Sequence, residues 1–233
     1  MPVRWLVDDE AVSSLWRDLE EMPLRLVDVP GRWVADLGGG NGNFVWVLRE
    51  RSARLLALDV DVPALRSAPR DVRTVAASIL RLPLRTGSVD AAAGRAVLHH
   101  VPDHLDAALR EAKRALKPGG LVLFQEPTSG NPIANAARRR FPTERHDPHE
   151  RPLPYDAYLD AVRRHFDVLE SRPHFLLSYL VPHVVGRLPP ARRRLARAVA
   201  RLLAAWDRRL LAVLPGLRSR AAYISIFARA PWE

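Results

Sequence analysis

The strongest constraint on the fold is a regular alternation of short apolar runs with amphipathic segments in the first half of the chain. The runs lie within residues 33–38, 53–61, 72–78, 88–101 and 121–127, and they lack the alternation expected of a strand with one wet face. Strands that are buried on both faces belong to parallel sheets covered by helices on either side. We therefore predict an α/β fold with a doubly wound, mostly parallel sheet.

The segments between these runs have helical periodicity. Residues 102–120 are the clearest case, because apolar side chains recur there every three or four positions. Gly119 and Gly120 are predicted to end this helix, since glycine is favoured just after a helix C-terminus. Shorter helices are predicted within residues 42–52 and 62–68.

The pattern becomes less regular in the second half of the chain. Residues 128–154 are rich in proline, charge and histidine, and we interpret them as an insertion or lid. A helix is predicted within residues 155–166, a strand within 167–177 and a final strand within 223–230.

A long helix is predicted between those last two strands, roughly from Pro190 to Leu214. One apolar stripe along it is formed by Leu195, Val199, Leu202, Trp206, Leu210 and Val213. The arginines lie mostly opposite this stripe, which is typical of a packed helix with a solvated charged face. The alternative is a helix that contacts a membrane surface or an anionic substrate.

The composition excludes several classes of protein. The chain has 233 residues and no cysteine, which excludes disulfides, thiolate metal sites and a cysteine nucleophile. A membrane-spanning helix needs about 20 largely apolar residues, and we find no such run. Acidic residues near the N-terminus argue against a secretory signal, so we expect a cytoplasmic protein.

The net charge of +10 is concentrated in one segment. Residues 187–220 contain ten arginines and one acid, Asp207, which leaves the rest of the chain nearly neutral. A single basic helix without interleaved aromatic residues is a poor match to a surface that stacks nucleic-acid bases. Nucleic acid is therefore disfavoured as a partner.

The pattern D-x-G-x-G-x-G at residues 36–42 follows the first apolar run. Gly38, Gly40 and Gly42 alternate between the predicted end of a strand and the predicted start of a helix. Glycine lets the backbone turn sharply and approach a ligand closely, and a helix start supplies free N–H groups. Several nucleotide-binding folds use such loops, although the spacing here differs from G-x-G-x-x-G.

Four stretches of the chain, in this order and at this spacing, resemble class I S-adenosylmethionine-dependent methyltransferases, especially those that act on small molecules. They are residues 34–44, 55–61, 80–103 and 111–127. The resemblance implies a Rossmann-like, seven-stranded sheet with an antiparallel last strand, helices on both faces and a helical or loop lid. Three parts are expected: an N-terminal helical segment at residues 1–30, a cofactor-binding core at 31–128, and, at 129–233, the lid, the substrate-side helices and the last two strands of the same domain.

The resemblance also implies a set of cofactor contacts. Asp36 would hold the ammonium of the methionine part and Asp59 both ribose hydroxyls, while Ser78 or the Ile79 N–H would contact the adenine. The expected cofactor-binding residues are Asp36, Gly38, Gly39, Gly40, Gly42, Asp59, Val60, Ser78, Ile79 and Arg95. Relatives often have aspartate where Ser78 stands. The alternatives are a plain tight turn for the glycines and a helix cap for Asp59.

Three residues after the fourth strand are predicted to be catalytic. Arg95, His99 and His100 lie near the expected position of the methyl group, and histidine suits proton transfer because its pKa is near neutrality. Arg95 is also a candidate contact for a carboxylate of substrate or cofactor. The alternatives are structural packing for the histidines and a surface salt bridge for Arg95.

Four further histidines are predicted to contact substrate: His146, His149, His174 and His183. The first two have acidic neighbours and could ligate a metal ion, but Pro148 disfavours a regular helical face there. We expect no metal and interpret this segment as a lid over the substrate.

We predict an enzyme that transfers a methyl group from S-adenosylmethionine to a small, partly apolar metabolite of specialised metabolism and releases S-adenosylhomocysteine. The alternative is an enzyme of the same fold that retains the cofactor but catalyses cyclisation or another reaction, because fold does not fix chemistry. Enzymes that methylate amino groups of nucleic-acid bases carry an Asn/Asp-Pro-Pro-aromatic motif after the fourth strand, and residues 94–100 lack it.

Overall fold

A seven-stranded sheet organises the chain, in the strand order β3-β2-β1-β4-β5-β7-β6. The computed structural model describes residues 19, 22–27, 31–40, 44, 48, 54–140, 150–181 and 190–232. The strands are β1 (Trp33–Leu37), β2 (Arg54–Asp59), β3 (Arg73–Ala76), β4 (Val89–Arg95), β5 (Leu116–Pro127), β6 (Asp167–His174) and β7 (Tyr223–Arg229). Neighbours among β1 to β5 are parallel, whereas β7 is antiparallel to both β5 and β6. The predicted doubly wound sheet with an antiparallel last strand is confirmed.

Helices flank the sheet along the chain. The α-helices are α1 (Val62–Leu65), α2 (Leu105–Ala115), α3 (Pro132–Arg140), α4 (Tyr155–Arg163) and α5 (Pro190–Val213). Short 3-10 helices occupy Met22–Val27, Leu98–His100, Pro102–His104, Ser178–Leu180 and Pro215–Arg220. Of the predicted lid, α3 is helical, and residues 141–149 lie outside the described part of the chain.

The two faces of the sheet bury separate cores. On one face, Leu58, Phe124 and Ile226 pack with buried residues of α2 and α4. On the other face, the strands pack against two residues of the first 3-10 helix and against Phe44 and Leu48, which follow the glycine loop. The buried residues of this core are Met22, Leu26, Val34, Phe44, Leu48, Leu55, Ala57, Leu65, Val72, Ala91, Ala93, Leu123 and Phe227. Burial on both faces explains why the strand sequences are apolar throughout.

Helix α2 ends earlier than the sequence pattern indicates. It stops at Ala115, and Leu116 is already extended and begins β5. Pro118 disfavours a helical conformation at Lys117, and Leu116 gains a strand partner in Val89. The prediction that Gly119 and Gly120 close the helix is therefore wrong. Gly119 instead has a φ of +70° within β5.

Helix α5 packs with a different face from the one predicted. Ala200, Ala204, Asp207 and Leu211 are buried, whereas most of the predicted apolar stripe is exposed. Small alanine side chains let the helix approach Val181 closely, and the Asp207 carboxylate accepts hydrogen bonds from the buried N–H groups of residues 176 and 178. The interpretation of the stripe as the packed face is wrong.

Candidate functional site

The chain leaves β1 through a tight glycine turn that crosses the carboxyl end of β2. Gly38 has a φ of +68° and Gly40 a φ of +49°, a region that favours glycine. The N–H groups of Gly38 and Gly39 donate to the Leu58 carbonyl at 2.8 and 3.1 Å. The turn therefore lies directly against the end of the neighbouring strand.

The first two glycines of this turn have no room for a side chain. A Cβ atom at Gly38 would lie 2.4 Å from Val97 Cγ2, and one at Gly39 would lie 3.0 Å from Asp36 Oδ2. The turn is thus packed between β1 and the segment that follows β4. Its dense glycine content has a steric cause within the protein itself.

Two carboxylates lie at this edge of the sheet. Asp36 is buried in β1, and Asp59 is partly exposed at the end of β2. The Asp59 carboxylate accepts hydrogen bonds from the Gly40 N–H at 2.6 Å and the Asp61 N–H at 2.8 Å. The cap of α1 is Asp61, not Asp59, because the Asp61 side chain accepts from the Ala64 N–H.

We call this set, residues 36–40 with Asp59, the β1–β2 edge. It brings together the predicted cofactor contacts Asp36, Gly38, Gly39, Gly40 and Asp59. Val60 follows Asp59 and is exposed. Gly42 lies outside the described residues.

The predicted adenine contacts lie at the end of β3, next to β2. The Ala77 N–H donates to the Asp59 carbonyl at 2.9 Å, which ties this segment to the β1–β2 edge. The Ser78 hydroxyl oxygen accepts the Leu80 N–H at 3.2 Å, so its hydroxyl hydrogen is available for another acceptor. Ile79 is buried beside it.

Arg95 at the end of β4 contacts protein groups on the face that the first 3-10 helix covers. Its Nε donates to Gln125 Oε1 at 3.0 Å, and its guanidinium carbon lies 4.6 Å from the centre of the Phe44 ring. Ala96 follows with a φ of +54°, a conformation that is uncommon outside glycine. The chain thus turns sharply at the carboxyl end of β4.

The turn after β4 is held by a buried acid that the sequence analysis did not single out. Glu126 Oε1 accepts the N–H groups of Val97 and Leu98 at 2.9 and 2.8 Å, and its other oxygen lies 2.9 Å from His99 Nδ1. His99 is buried and fixed in orientation by this contact, whereas His100 is exposed. Glu126 could have been found from the sequence, because it lies near the end of an apolar run, as Asp59 does.

His99 and His100 also lie near Glu150. His100 Nε2 is 3.7 Å from Glu150 Oε1, and one ligand atom from each of the three residues lies within 4.8 Å of the others. These residue types can bind a transition metal. The expectation that the chain holds no metal stays a prediction: this cluster was not singled out from the sequence, and His146 and His149 lie outside the described residues.

His174 is brought to a different part of the same sheet edge. Its Nε2 lies 2.8 Å from the Ser225 hydroxyl, which also accepts a hydrogen bond from Gln125 Nε2 at 3.0 Å. Burial, with smaller contributions from Arg172 and Arg95, lowers the pKa of His174 from 6.5 to about 3. His174 is therefore neutral at physiological pH. It lines a cavity of about 350 Å³ between β6 and α5, and His183 lies outside the described residues.

The β1–β2 edge fits the groups of a sulfonium nucleoside. A partly exposed carboxylate at the end of β2 can accept hydrogen bonds from hydroxyls, and a carboxylate has more acceptor positions than the two N–H groups use. The neighbouring buried Asp36 supplies negative charge for a cation. Asp36 and Asp59 are the side chains that would hold such a group.

Comparison with known proteins agrees with this geometry. Residues 35–124 match the family model described as a methyltransferase domain. A malonyl-[acyl-carrier protein] O-methyltransferase from Serratia marcescens is 33% identical over 128 residues, which cover 52% of this chain and 49% of that protein. The chain spans about half or less of the length of the first curated relatives that it matches.

Solved structures share the fold across most of the chain. Geranyl diphosphate C-methyltransferase from Streptomyces coelicolor superposes with a TM-score of 0.66 at 15% identity, covering 94% of this chain and 80% of that one. The [4+2]-cyclase SpnF superposes with a TM-score of 0.64 at 20% identity, covering 93% and 81%. Residues 35–124 therefore match a methyltransferase domain, and the chain has the fold of the class I, S-adenosylmethionine-dependent methyltransferases that its sequence resembles.

Proposed function

We propose that this protein binds S-adenosylmethionine and transfers its methyl group to a small, partly apolar metabolite. The observation that carries the proposal is the geometry of the β1–β2 edge. There the Gly40 N–H of the glycine turn donates a hydrogen bond to the Asp59 carboxylate, close to the buried Asp36. When bound, the cofactor supplies a methyl group on a positively charged sulfur, which is an electrophile.

The chain's own residues bind and orient the cofactor. Asp59 accepts hydrogen bonds from the ribose hydroxyls, and Asp36 balances the ammonium charge of the methionine part. Gly38, Gly39 and Gly40, together with Gly42, let the turn pass close under the cofactor. Ser78 donates its hydroxyl to the adenine or Ile79 its N–H, and Val60 offers apolar contact.

The residues after β4 handle the methyl acceptor. His100 is exposed and lies beside Glu150, so it can take the proton that the acceptor loses. His99 is held by Glu126 and orients this turn, and Arg95 is a candidate contact for a carboxylate. His146, His149 and His183 remain proposed contacts of a lid over the substrate. His174, being neutral, can contact substrate as a hydrogen-bonding group.

The names of similar proteins support a small-molecule acceptor, and one of them names an acceptor with an apolar part. One relative is named for a malonyl group on a carrier protein, and one structural neighbour for geranyl diphosphate. We also propose that the protein acts in specialised metabolism and in the cytoplasm.

Isothermal titration with S-adenosylmethionine and S-adenosylhomocysteine tests cofactor binding. Asp59→Asn should bind at least about tenfold more weakly, because it replaces charge-assisted hydrogen bonds by neutral ones. Asp61→Asn is the matched control, since asparagine can still accept the Ala64 N–H and cap α1. Thermal melts of both variants establish that they are folded. Absence of saturable binding by the unaltered protein would refute the proposal.

The cofactor-retaining alternative is supported by the cyclase among the structural neighbours. Methyl transfer produces S-adenosylhomocysteine in equal amount with product, whereas a cyclase leaves the cofactor unchanged. Mass spectrometry of both species during turnover with candidate acceptors separates the two reactions. Turnover of an acceptor without S-adenosylhomocysteine would favour the alternative.

A further inference from the structure

The cavity between β6 and α5 has the size and the apolar wall of a small-molecule site. Helix α5 is 24 residues long, yet like the other described helices it lacks the continuous apolar length that crosses a membrane. It packs on the protein and leaves a cavity of about 350 Å³ beside β6, with Phe175, Ala204 and Leu211 in its apolar wall. Ligand cavities typically have volumes of about 300–1,000 Å³ and mostly apolar linings with a few polar groups.

Three arginines line this cavity, each from a different element. Arg172 comes from β6, Arg208 from α5 and Arg218 from the 3-10 helix Pro215–Arg220. All three residues are exposed, so they lie where the cavity meets solvent. Guanidinium groups bind anionic oxygens through charge-assisted hydrogen bonds, often two at a time. The cavity therefore combines an apolar wall with an opening rich in positive charge.

Little negative charge offsets these arginines. Asp207 is the one acid among the residues that line the cavity, and its carboxylate accepts hydrogen bonds from residues 176–178. An acid of β6 pairs with Arg172. Within the part of the chain that the structure describes, no acid pairs with Arg208 or Arg218. The charges of these two arginines are therefore available to an anionic ligand.

Two of the arginines act electrostatically on groups in the cavity wall. Burial lowers the pKa of His174 to about 3, and the positive charge of Arg172 adds to this effect. Burial raises the pKa of Tyr155, and the positive charge of Arg218 opposes that rise. The Tyr155 hydroxyl donates to Ser171 Oγ at 3.2 Å, and Ser171 lines the cavity. The guanidinium groups of Arg172 and Arg218 thus lie close to the wall.

We propose that this cavity binds a phosphate ester with an apolar body. Arg208 and Arg218 hold the phosphate, and the apolar body lies against Phe175 and Leu211. Several arginines suit a phosphate better than a carboxylate, because a phosphate presents more acceptor oxygens.

The position of the cavity relates this ligand to the proposed reaction. Strand β6 runs in the same direction as β1 to β5, because β7 is antiparallel to both β5 and β6. The carboxyl end of β6, where the cavity lies, is therefore at the same side of the sheet as the β1–β2 edge. Under the proposed function this ligand is the methyl acceptor, and in that respect the inference rests on the proposed function.

Isothermal titration with octyl phosphate tests the charge of the cavity, with 1-octanol as the neutral reference. Octyl phosphate should bind saturably and at least about tenfold more tightly than 1-octanol, because its phosphate gains charge-assisted hydrogen bonds. The double variant Arg208→Gln, Arg218→Gln should remove at least about tenfold of that affinity. The matched control is Arg201→Gln, Arg209→Gln, which removes the same charge from exposed positions of α5 outside the cavity lining. It should bind octyl phosphate like the unaltered protein.

A second pair of variants tests the space in the cavity without changing its charge. Ala212 lines the cavity and is exposed, so Ala212→Phe should fill part of the space and weaken octyl phosphate binding by at least about tenfold. Ala205→Phe is the matched control, because Ala205 is exposed on the same helix and does not line the cavity. Thermal melts of all variants establish that they are folded.

The outcomes separate this inference from the proposed methyl transfer. Octyl phosphate should still bind in the presence of saturating S-adenosylhomocysteine, because the cavity is separate from the β1–β2 edge. Displacement by S-adenosylhomocysteine, absence of saturable binding, or equal losses in the paired arginine variants would overturn the proposal. Cofactor binding without octyl phosphate binding would refute this inference alone. Octyl phosphate binding without cofactor binding would support the anion site and refute the proposed methyl transfer.

Discussion

The β1–β2 edge and the region formed by β6, β7 and α5 satisfy their buried polar groups in different ways. At the β1–β2 edge, the partners are near in sequence: Gly40 and Asp59 are 19 residues apart, and Asp59 and Asp61 are 2 apart. In the other region, His174 and Ser225 are 51 residues apart, and Leu176 and Asp207 are 31 apart. Partners that are close in sequence form a motif that can be recognised in the sequence. Partners that are far apart appear in the sequence as single residues without a recognisable pattern around them.

The largest effect should appear in the long-range region. Asp207→Ala removes the acceptor of the buried Leu176 and Ser178 N–H groups and of the Ser178 hydroxyl. We expect a loss of about 3–5 kcal/mol in the free energy of unfolding, because buried donors are left without an acceptor. Urea unfolding followed by circular dichroism measures this loss.

The control for that variant is an exposed acid on another helix. Asp160→Ala removes a side chain that pairs only with Arg163 at 3.5 Å among the contacts described, at the surface of α4. It should cost less than about 0.5 kcal/mol. A similar small cost for Asp207→Ala would show that α5 does not depend on this distant contact.

A smaller loss of stability is expected from a substitution in the glycine turn of the β1–β2 edge, where there is no room for a Cβ atom at Gly38. Gly38→Ala combines a φ of +68° with a Cβ atom 2.4 Å from Val97 Cγ2. We expect a loss of about 2–3 kcal/mol in the free energy of unfolding, from backbone strain and overpacking together. Cofactor affinity should fall with it.

Gly87→Ala separates the two causes. Gly87 has a φ of +62°, but nothing lies within 4 Å of the position of a Cβ atom there. It should cost about 1 kcal/mol, from the backbone conformation alone. Equal losses in the two variants would mean that contact with Val97 contributes nothing to the turn.

The smallest effect at near-neutral pH is expected from His174. Its folded pKa is about 3, below the ordinary value of 6.5, so the unfolded chain binds a proton that the folded chain does not. Stability should therefore fall as the pH drops below about 6.5, by roughly 1.4 kcal/mol per pH unit from this group. His174→Gln should remove this part of the pH dependence.

Urea unfolding between pH 7 and pH 5 measures that difference, with His104→Gln as the control. His104 is an exposed histidine outside the sheet, so His104→Gln shows the effect of replacing a histidine away from the buried site. His174→Gln and the unaltered protein could instead lose stability in parallel on acidification. That result would show that burial of His174 beside Ser225 and Gln125 does not lower the pKa of His174.

The comparison of the two regions explains which parts of the fold the sequence pattern could locate. The strands, the doubly wound sheet and the residues of the β1–β2 edge followed from apolar runs and from a glycine motif of seven residues. Glu126 was missed because its partners, residues 97–99, lie nearly 30 positions away and form no pattern with it. The end of α2 was misplaced because pairing of Leu116 with Val89 competes with helix continuation.

The sequence by itself determined the layered α/β architecture and the edge at which the glycine turn meets Asp59, because burial patterns and turn chemistry act over a few residues. Only the tertiary structure decided which face of α5 is buried. Both faces are apolar, and the choice depends on whether small alanines and one aspartate find close partners in residues 176–181. Hydrophobic periodicity measures how apolar a face is, whereas packing depends on the shape and hydrogen-bonding groups of the surface opposite it.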